Sequence, residues 1–209
     1  LALREKRILA VHILSFAVII FCIMGFNIPF SAHMGLQGYK VTRLQGHLRI
    51  MTCNLGTNFD ADLLADFISK TRPDIIAFQE AYTDNQKTLE AILGKDKWDL
   101  SFKEYLGLAS RLKIRNVEMK NRRIMGGWGG MATRYELEGS MGRIYFFNIH
   151  LDTPRVGIEA IMDNGLGGLS ENRRVAELQD KESGIVSQWI KPHKTVLIAG
   201  DFNMLEANP

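Results

Sequence analysis

Four short apolar runs in this chain each end in a polar or ionisable side chain, and this pattern constrains the fold more than any other feature. The runs lead to Asn54, Glu80, His150 and Asp201. Short apolar runs bounded by polar residues are typical of buried β-strands. Because rigid strands hold side chains at one rim of an open α/β fold or a sandwich, we expect these four side chains to form one site.

The chemistry of these groups is compatible with a single reaction centre. A carboxylate such as Glu80 binds hard cations through oxygen. His150 is able to move or share a proton, and an Asp–Asn pair such as Asp201 and Asn203 orients water and phosphate oxygens. Arg155 would contact a phosphate through its planar guanidinium or pair with a loop carboxylate, and the sequence leaves both options open.

Taken in order, these strings resemble the endonuclease/exonuclease/phosphatase superfamily, the metal-dependent phosphoesterases of the deoxyribonuclease I and sphingomyelinase type. The strings are Asn54, Gln79-Glu80, Ser110-Arg111, His150-Leu151-Asp152 and Gly200-Asp201-Phe202-Asn203. The likeness extends from about residue 46 to the last residue. The string from His150 to Arg155, behind an apolar segment, is similar to a bacterial membrane-tethered branch that includes teicoplanin-resistance-type proteins.

The resemblance implies an α/β (α+β) fold, a four-layer sandwich of two mixed β-sheets flanked by helices. It implies binding of Mg²⁺ or Mn²⁺ by Glu80 and catalysis by His150, Asp201 and Asn203. The position of Asn54 at the end of the first strand predicts that it binds the metal or the substrate phosphate, and Arg155 is a further candidate for substrate binding. Structural alternatives exist for several of these residues. Asn54 would cap a turn, His150 would be a hydrogen-bonded structural histidine, and the Asp201–Asn203 pair would form a turn.

The C-terminal end departs from the superfamily pattern. Such domains close their site with a further Asp and a Ser-Asp-His-like strand, whereas only six residues follow Asn203 and none of them is Asp or His. The chain also begins at Leu1 rather than at Met. We therefore expect a fragment that is cut at both ends and is inactive by itself.

An apolar run over residues 8–26, broken only by His12 and Ser15, precedes the domain. At 1.5 Å per residue it would span about 28 Å, close to the hydrocarbon thickness of a bilayer. The basic residues Arg4, Lys6 and Arg7 precede it, which predicts a cytoplasmic N-terminus and a domain outside the cytoplasm. A cleaved signal peptide and a buried core helix are the alternatives.

The sequence thus predicts four parts: a cytoplasmic flank over residues 1–7, a transmembrane helix over 8–30, a linker over 31–46 and the phosphoesterase domain over 47–209. Inside the domain, apolar periodicity predicts helices over 60–70, 83–93 and 171–190. A strand is predicted over 106–114. The glycine-rich residues 156–169 are predicted to form a long loop beside the site.

The charge balance limits the choice of partner. The net charge is +3, of which residues 1–30 contribute +2, and this is not the balance of a dedicated nucleic-acid binder. A basic stretch over residues 103–123 is either a solvated face or a surface for phosphate or anionic lipid. The favoured function is a membrane-bound, divalent-metal-dependent hydrolase of a lipid-linked phosphate or pyrophosphate. A metal-dependent nuclease and a non-catalytic membrane-bound interaction module are the alternatives.

Overall fold

A computed structural model describes residues 47–94, 96–140 and 142–203 of the chain. These residues contain eight β-strands and four α-helices and belong to one compact unit, Arg43–Asn203. The predicted cytoplasmic flank, transmembrane helix and linker lie outside the described residues. Among the helices that are described, none has the length and apolar character needed to cross a bilayer.

The first sheet has four strands in the spatial order β1-β2-β4-β3. They are β1 (Ile50–Asn54), β2 (Ile75–Gln79), β3 (Asp99–Lys103) and β4 (Leu106–Ser110). β1 and β2 are parallel and are joined by α1 (Ala61–Thr71), whereas β4 is antiparallel to both β2 and β3. Asn54 lies opposite Gln79, so β1 and β2 end side by side.

The second sheet has the order β5-β6-β7-β8. Its strands are β5 (Lys113–Asn121), β6 (Gly130–Gly139), β7 (Gly142–His150) and β8 (Val196–Asp201). β8 runs parallel to β7, and its register places Asp201 opposite His150. Gly200 has a φ of +146°, and a Cβ at this position would collide with the carbonyl oxygen of Ile149, so β8 requires glycine next to Asp201.

Three apolar clusters hold the layers together. The cluster between the sheets contains Ile75, Ala77, Leu108, Tyr135, Leu137 and Phe146. On the outer face of the first sheet, Ile76 and Phe78 pack against α1 and α2 (Thr83–Leu93). On the outer face of the second sheet, Phe147 and Ile149 pack against α4 (Leu169–Ile190). Because side chains alternate along a strand, each sheet is able to serve two clusters, and the predicted pair of mixed sheets flanked by helices is confirmed.

The predicted strand over 106–114 is wrong, because these residues form parts of two strands in different sheets. β4 ends at Ser110 and β5 begins at Lys113. Between them the backbone N–H of Arg111 donates to the carbonyl of Asp74, and the N–H of Leu112 donates to the Ser110 hydroxyl. No Gly or Pro lies in the connection between β4 and β5, so the apolar pattern gives no sign that one strand ends and another begins.

The predicted loop over 156–169 is also wrong. Residues Arg155–Asn164 form a helix, α3, and Gly165–Gly168 form a 3₁₀ turn that leads into α4. A Cβ at Gly157 would lie 2.7 Å from the Asn172 side-chain oxygen, so this glycine permits close packing of α3 on α4. The glycines that suggested a loop therefore serve helix packing and a tight turn.

Candidate active site

The side chains at the ends of four strands meet at one edge of the sandwich. The Asn54 amide nitrogen donates to Glu80 Oε1 and to Asp201 Oδ2, each at 2.9 Å. His150 Nε2 lies 3.8 Å from the same Glu80 oxygen. Two of these side chains belong to the first sheet and two to the second, so the structure brings together all four groups that the strand pattern selected.

The orientation of Asn54 is set by its own turn. Its side-chain oxygen accepts from the backbone N–H of Gly56 at 3.1 Å, which turns the amide nitrogen toward the carboxylates. In this arrangement Asn54 donates hydrogen bonds, and it would ligate a metal only after its amide rotates. Glu80 has a φ of +54°, a left-handed backbone that is costly for a non-glycine residue and is found preferentially at functional sites.

The imidazole of His150 is held in its neutral form. Burial lowers the pKa of His150 and the nearby Arg122 guanidinium lowers it further, whereas Asp201, Glu80 and Asp152 act in the opposite direction. The net shift is downward from an ordinary value of about 6.5. At neutral pH the ring therefore has one nitrogen that accepts a hydrogen bond or a proton.

A buried ion pair between Arg122 and Glu182 holds the backbone at His150. Arg122 Nε donates to Glu182 Oε1 at 2.6 Å, and Glu182 is only 1% exposed. The same guanidinium donates to the carbonyls of His150 and Gly130. Glu182 Oε2 accepts from the backbone N–H of Asp152 at 2.7 Å, so this one carboxylate fixes the loop that follows His150.

A second residue of α4 joins the loops that follow His150 and Asp201. Gln179 Nε2 donates to the carbonyls of Asp152 and Asn203, at 2.7 and 2.9 Å. The Asn203 side chain donates to the carbonyl of Leu151, and its backbone N–H donates to Asp201 Oδ1. Asp152 and Asn203 thus orient their loops in this structure, and Asp201 is held by hydrogen bonds on both of its oxygens.

Three of these supporting residues are not predicted from the sequence: Arg122, Gln179 and Glu182. A signal for the last two exists, because residues 175, 179, 182 and 186 share the inward face of α4 and two of them are polar. Polar residues at inward helical positions are expected to be hydrogen-bonded to something buried. No signal in the sequence distinguishes Arg122 from the exposed basic residues around it.

A polar contact also crosses between the two sheets beneath the site. Gln79 Nε2 donates to Asn148 Oδ1 at 2.6 Å, and the Asn148 amide donates to the carbonyls of Phe78 and Gly107. Both side chains are buried. Since buried amides require partners, this contact favours one relative position of the strands that carry Glu80 and His150.

Arg155 is the predicted site residue that lies outside this network. It is exposed at the start of α3, and within the described residues its guanidinium forms no ion pair. The basic stretch over 103–123 does not form one surface. Arg111 lies over the Trp98 ring, Lys113 pairs with Asp99, and Arg122 is buried against Glu182.

A cavity of about 340 Å³ lies at the other end of the strands. It is lined by His47, Leu48, Asp74, Leu112, Gly139, Ser140, Gly142, Arg143, Ile144 and Thr195. None of the predicted site residues contributes to it. The cavity is therefore separate from the edge at which Asn54 and Glu80 lie.

The carboxylates of Glu80 and Asp201 suit a hard cation that keeps several of its coordination positions for water and substrate. Within the described ranges, no three His, Cys, Asp or Glu side chains are close enough to surround a metal ion. Glu80 and Asp201 nevertheless face the same Asn54 amide, and in the described residues neither pairs with Lys or Arg. Mg²⁺ is commonly held by one or two carboxylates together with water and substrate phosphates, so these two side chains fit it.

Residues 51–207 match the model of the Endonuclease/Exonuclease/phosphatase family. The chain belongs to this family. Members of the superfamily are phosphoesterases or nucleases and generally depend on divalent metal ions. The family predicted from the strand-end strings is confirmed, whereas the likeness to its membrane-tethered branch stays a prediction. No match is found among curated proteins.

Solved structures share the fold at low sequence identity. A humanized TDP2 of D. rerio is 18% identical, with a TM-score of 0.58, over 76% of this chain and 63% of that protein. An endonuclease/exonuclease/phosphatase from Beutenbergia cavernae is 18% identical, with a TM-score of 0.54, over 75% of this chain and 47% of its own. The 3' phosphatase NExo from Neisseria, bound to a product DNA hairpin, is 19% identical, with a TM-score of 0.54, over 78% and 60%. The chain therefore spans roughly half to two thirds of the length of these proteins.

Proposed function

We propose that this chain carries the metal-binding part of a Mg²⁺- or Mn²⁺-dependent phosphoester hydrolase. The observation that supports the proposal is the convergence of the Glu80 and Asp201 carboxylates on one amide, with neutral His150 beside them. Two carboxylates and an imidazole at an exposed edge provide a cation site and a proton acceptor. The family membership supports the same class of reaction.

Each side chain has a distinct role in this proposal. When bound, the metal ion neutralises phosphate charge and lowers the pKa of a water. Glu80 holds the ion, and Asp201, fixed on both oxygens, aims the attacking water. His150 contacts the phosphate or serves the leaving group. Asn54 and Arg155 contact the substrate phosphate, and Asn203 keeps the Asp201 carboxylate in place.

We assign the substrate to lipid-linked phosphates or pyrophosphates. The apolar run over residues 8–26 and the basic residues before it support a membrane-anchored domain that faces away from the cytoplasm. A tethered domain of low net charge is better suited to phosphate groups at a membrane surface than to long nucleic acids. Alkaline phosphatase fused after Asn203 in cells should be active if this topology is right, whereas an active cytoplasmic reporter at that position would contradict it.

Hydrolysis by the full-length protein tests the proposed reaction. We expect EDTA to abolish turnover and Mg²⁺ to restore it. Glu80→Gln should lower the rate by about 100-fold or more, the scale on which single electrostatic contacts to a transition state act. Glu177→Gln, an exposed substitution on α4, is the matched control and should leave the rate unchanged. Full turnover in EDTA would exclude a catalytic metal.

A nuclease is the second candidate. Two proteins of this fold were solved with DNA, namely D. rerio TDP2 complexed with a single strand DNA product and NExo bound to a product DNA hairpin. Parallel assays on an isoprenyl pyrophosphate, a phospholipid and single-stranded DNA distinguish the two candidates. Preferred cleavage of DNA would overturn the lipid assignment, and the absence of hydrolysis on every substrate would favour a non-catalytic interaction module.

A further inference from the structure

The loop between β5 and β6, residues 122–129, presents two apolar side chains to solvent. Trp128 is 82% exposed and Ile124 is 63% exposed. We name this segment the 122–129 tip. Large apolar side chains grouped at a protrusion are unusual on a soluble surface and indicate an interaction site.

Hydrogen bonds order the backbone of the tip. The side chain of Asn121 accepts from the N–H of Arg123 at 2.8 Å and begins a 3₁₀ turn. Gly126, with a φ of +80°, ends this turn, and the N–H of Arg122 donates to the carbonyl of Gly129 at the base of the loop. These hydrogen bonds define the turn at residues 122–126 and close the base of the loop, and Ile124 and Trp128 remain exposed.

The base of the tip lies close to the residues of the catalytic edge. Arg122, at the base of the tip, donates to the His150 carbonyl. On the other side, a Cβ placed on Gly129 would lie 3.7 Å from the Tyr105 ring, and this ring lies 4.9 Å from that of Tyr82, centroid to centroid. Tyr82 follows Glu80 by two residues, so partly exposed aromatic side chains extend from the metal-binding carboxylate to the tip.

The charge of this segment has one sign. Residues 119–133, which include the tip, contain no acidic residue. Their ionisable residues are Lys120, Arg122 and Arg123, which give a net charge of +3. Arg122 is committed to Glu182. Arg123 is largely exposed, with its guanidinium 5.8 Å from the Trp128 ring centroid and 3.6 Å from Glu104. A tryptophan and an aliphatic residue with the largely exposed Arg123 guanidinium beside them match the interface of an anionic lipid bilayer.

We propose that the 122–129 tip docks the domain on an anionic membrane surface, with Trp128 and Ile124 entering the interface and the catalytic edge facing the headgroups. Single-stranded nucleic acid would also stack on Trp128. The aliphatic Ile124 in the same loop favours lipid, because an aliphatic side chain enters an acyl-chain interface but offers no ring on which a base could stack. Docking would present lipid-linked phosphate to Glu80, and this purpose rests on the proposed function. Membrane docking itself is measured without any turnover.

Tryptophan fluorescence of the full chain in vesicles tests the proposal. The chain has three Trp residues and none lies in residues 1–46, so the predicted membrane segment contributes no signal. In vesicles that contain phosphatidylglycerol, phospholipids brominated in the acyl chain should quench Trp emission, and Trp128→Phe should remove this quenching. Ile124→Ser should weaken it, and Arg123→Gln should remove its dependence on phosphatidylglycerol.

Leu166→Ser provides the matched control, because Leu166 is 85% exposed at the turn between α3 and α4 and lies outside the tip. It should leave the quenching unchanged. Equal quenching in the wild type and in Trp128→Phe would overturn the proposal, as would an equal loss in Leu166→Ser. Quenching of Trp128 emission by oligothymidylate, without quenching by brominated lipid, would overturn it in favour of a nucleic-acid surface.

Discussion

The two sheets hold their halves of the active site by different means. On the first sheet, Asn54 and Glu80 are positioned by the parallel register of β1 and β2 and by a hydrogen bond between the two side chains. On the second sheet, the loops after His150 and Asp201 are held from behind by Arg122, Gln179 and Glu182. The first half depends on strand geometry, and the second half depends on buried polar contacts.

This difference determines where the site is vulnerable. Glu80 is half-buried at a strand end and in the described residues pairs with no Lys or Arg, so substitutions there should act more on chemistry than on folding. A buried charge that loses its partner is costly, so substitutions in the second half should act on stability as well as on geometry. Because Asn148 hydrogen-bonds to Gln79 across the sheets, damage to the second half should also displace the first.

The largest effect is expected for Glu182→Ala. The substitution leaves the Arg122 guanidinium buried without its carboxylate and frees the backbone N–H of Asp152. Removing one partner of a buried ion pair typically costs about 3–5 kcal/mol. Urea denaturation of the full chain, followed by circular dichroism, should show a lower midpoint by a corresponding amount.

Glu171→Ala is the control for this prediction. Glu171 lies on the same helix and pairs with Arg174 at the surface. Surface ion pairs contribute little to the free energy of unfolding, so the denaturation midpoint should not change measurably. If Glu182→Ala and Glu171→Ala behaved alike, the buried contacts would not stabilise the second half, and the contrast between the two halves would disappear.

Much of the first half could be predicted from the sequence because its geometry is that of strands. An apolar run that ends in Asn54 or Glu80 indicates both the strand and the rim position of the polar group. The same holds for His150 and Asp201 on the second sheet.

The supporting residues could not be predicted because their role depends on contacts between distant segments. Arg122 and Glu182 are 60 positions apart, and nothing in the local sequence pairs them. The helix α3 was missed for a related reason. The same glycines signal a loop when they are exposed and close helix packing when, like Gly157, they face another helix, and only the tertiary structure decides between the two.

A smaller effect is expected for Gln179→Leu. The change removes the hydrogen bonds to the carbonyls of Asp152 and Asn203, each contributing about 1 kcal/mol to stability. Loss of such supporting contacts typically lowers activity by about 10- to 100-fold. Hydrolysis by the full-length protein should fall by this factor while the denaturation midpoint shifts only modestly. Gln188→Leu, exposed on the same helix, should change neither quantity, and equal losses in both variants would show that helix α4 rather than the Gln179 contact is responsible.

The smallest effect is expected in the titration of His150, where the two halves meet. Burial and the Arg122 charge lower the pKa of this imidazole, while the carboxylates of Asp201 and Glu80 act to raise it. Since the folded pKa lies below the unfolded one, the contribution of His150 to stability is fully present above about pH 6.5 and is lost as the pH falls through the folded pKa.

In metal-free protein, Glu80→Gln removes a negative charge and should lower the pKa of His150 further. Ring resonances followed by NMR against pH measure this shift, with Glu177→Gln as the control. An unchanged pKa in Glu80→Gln would show that the first-sheet carboxylate does not act on the second-sheet imidazole, and the two halves would then be electrostatically independent.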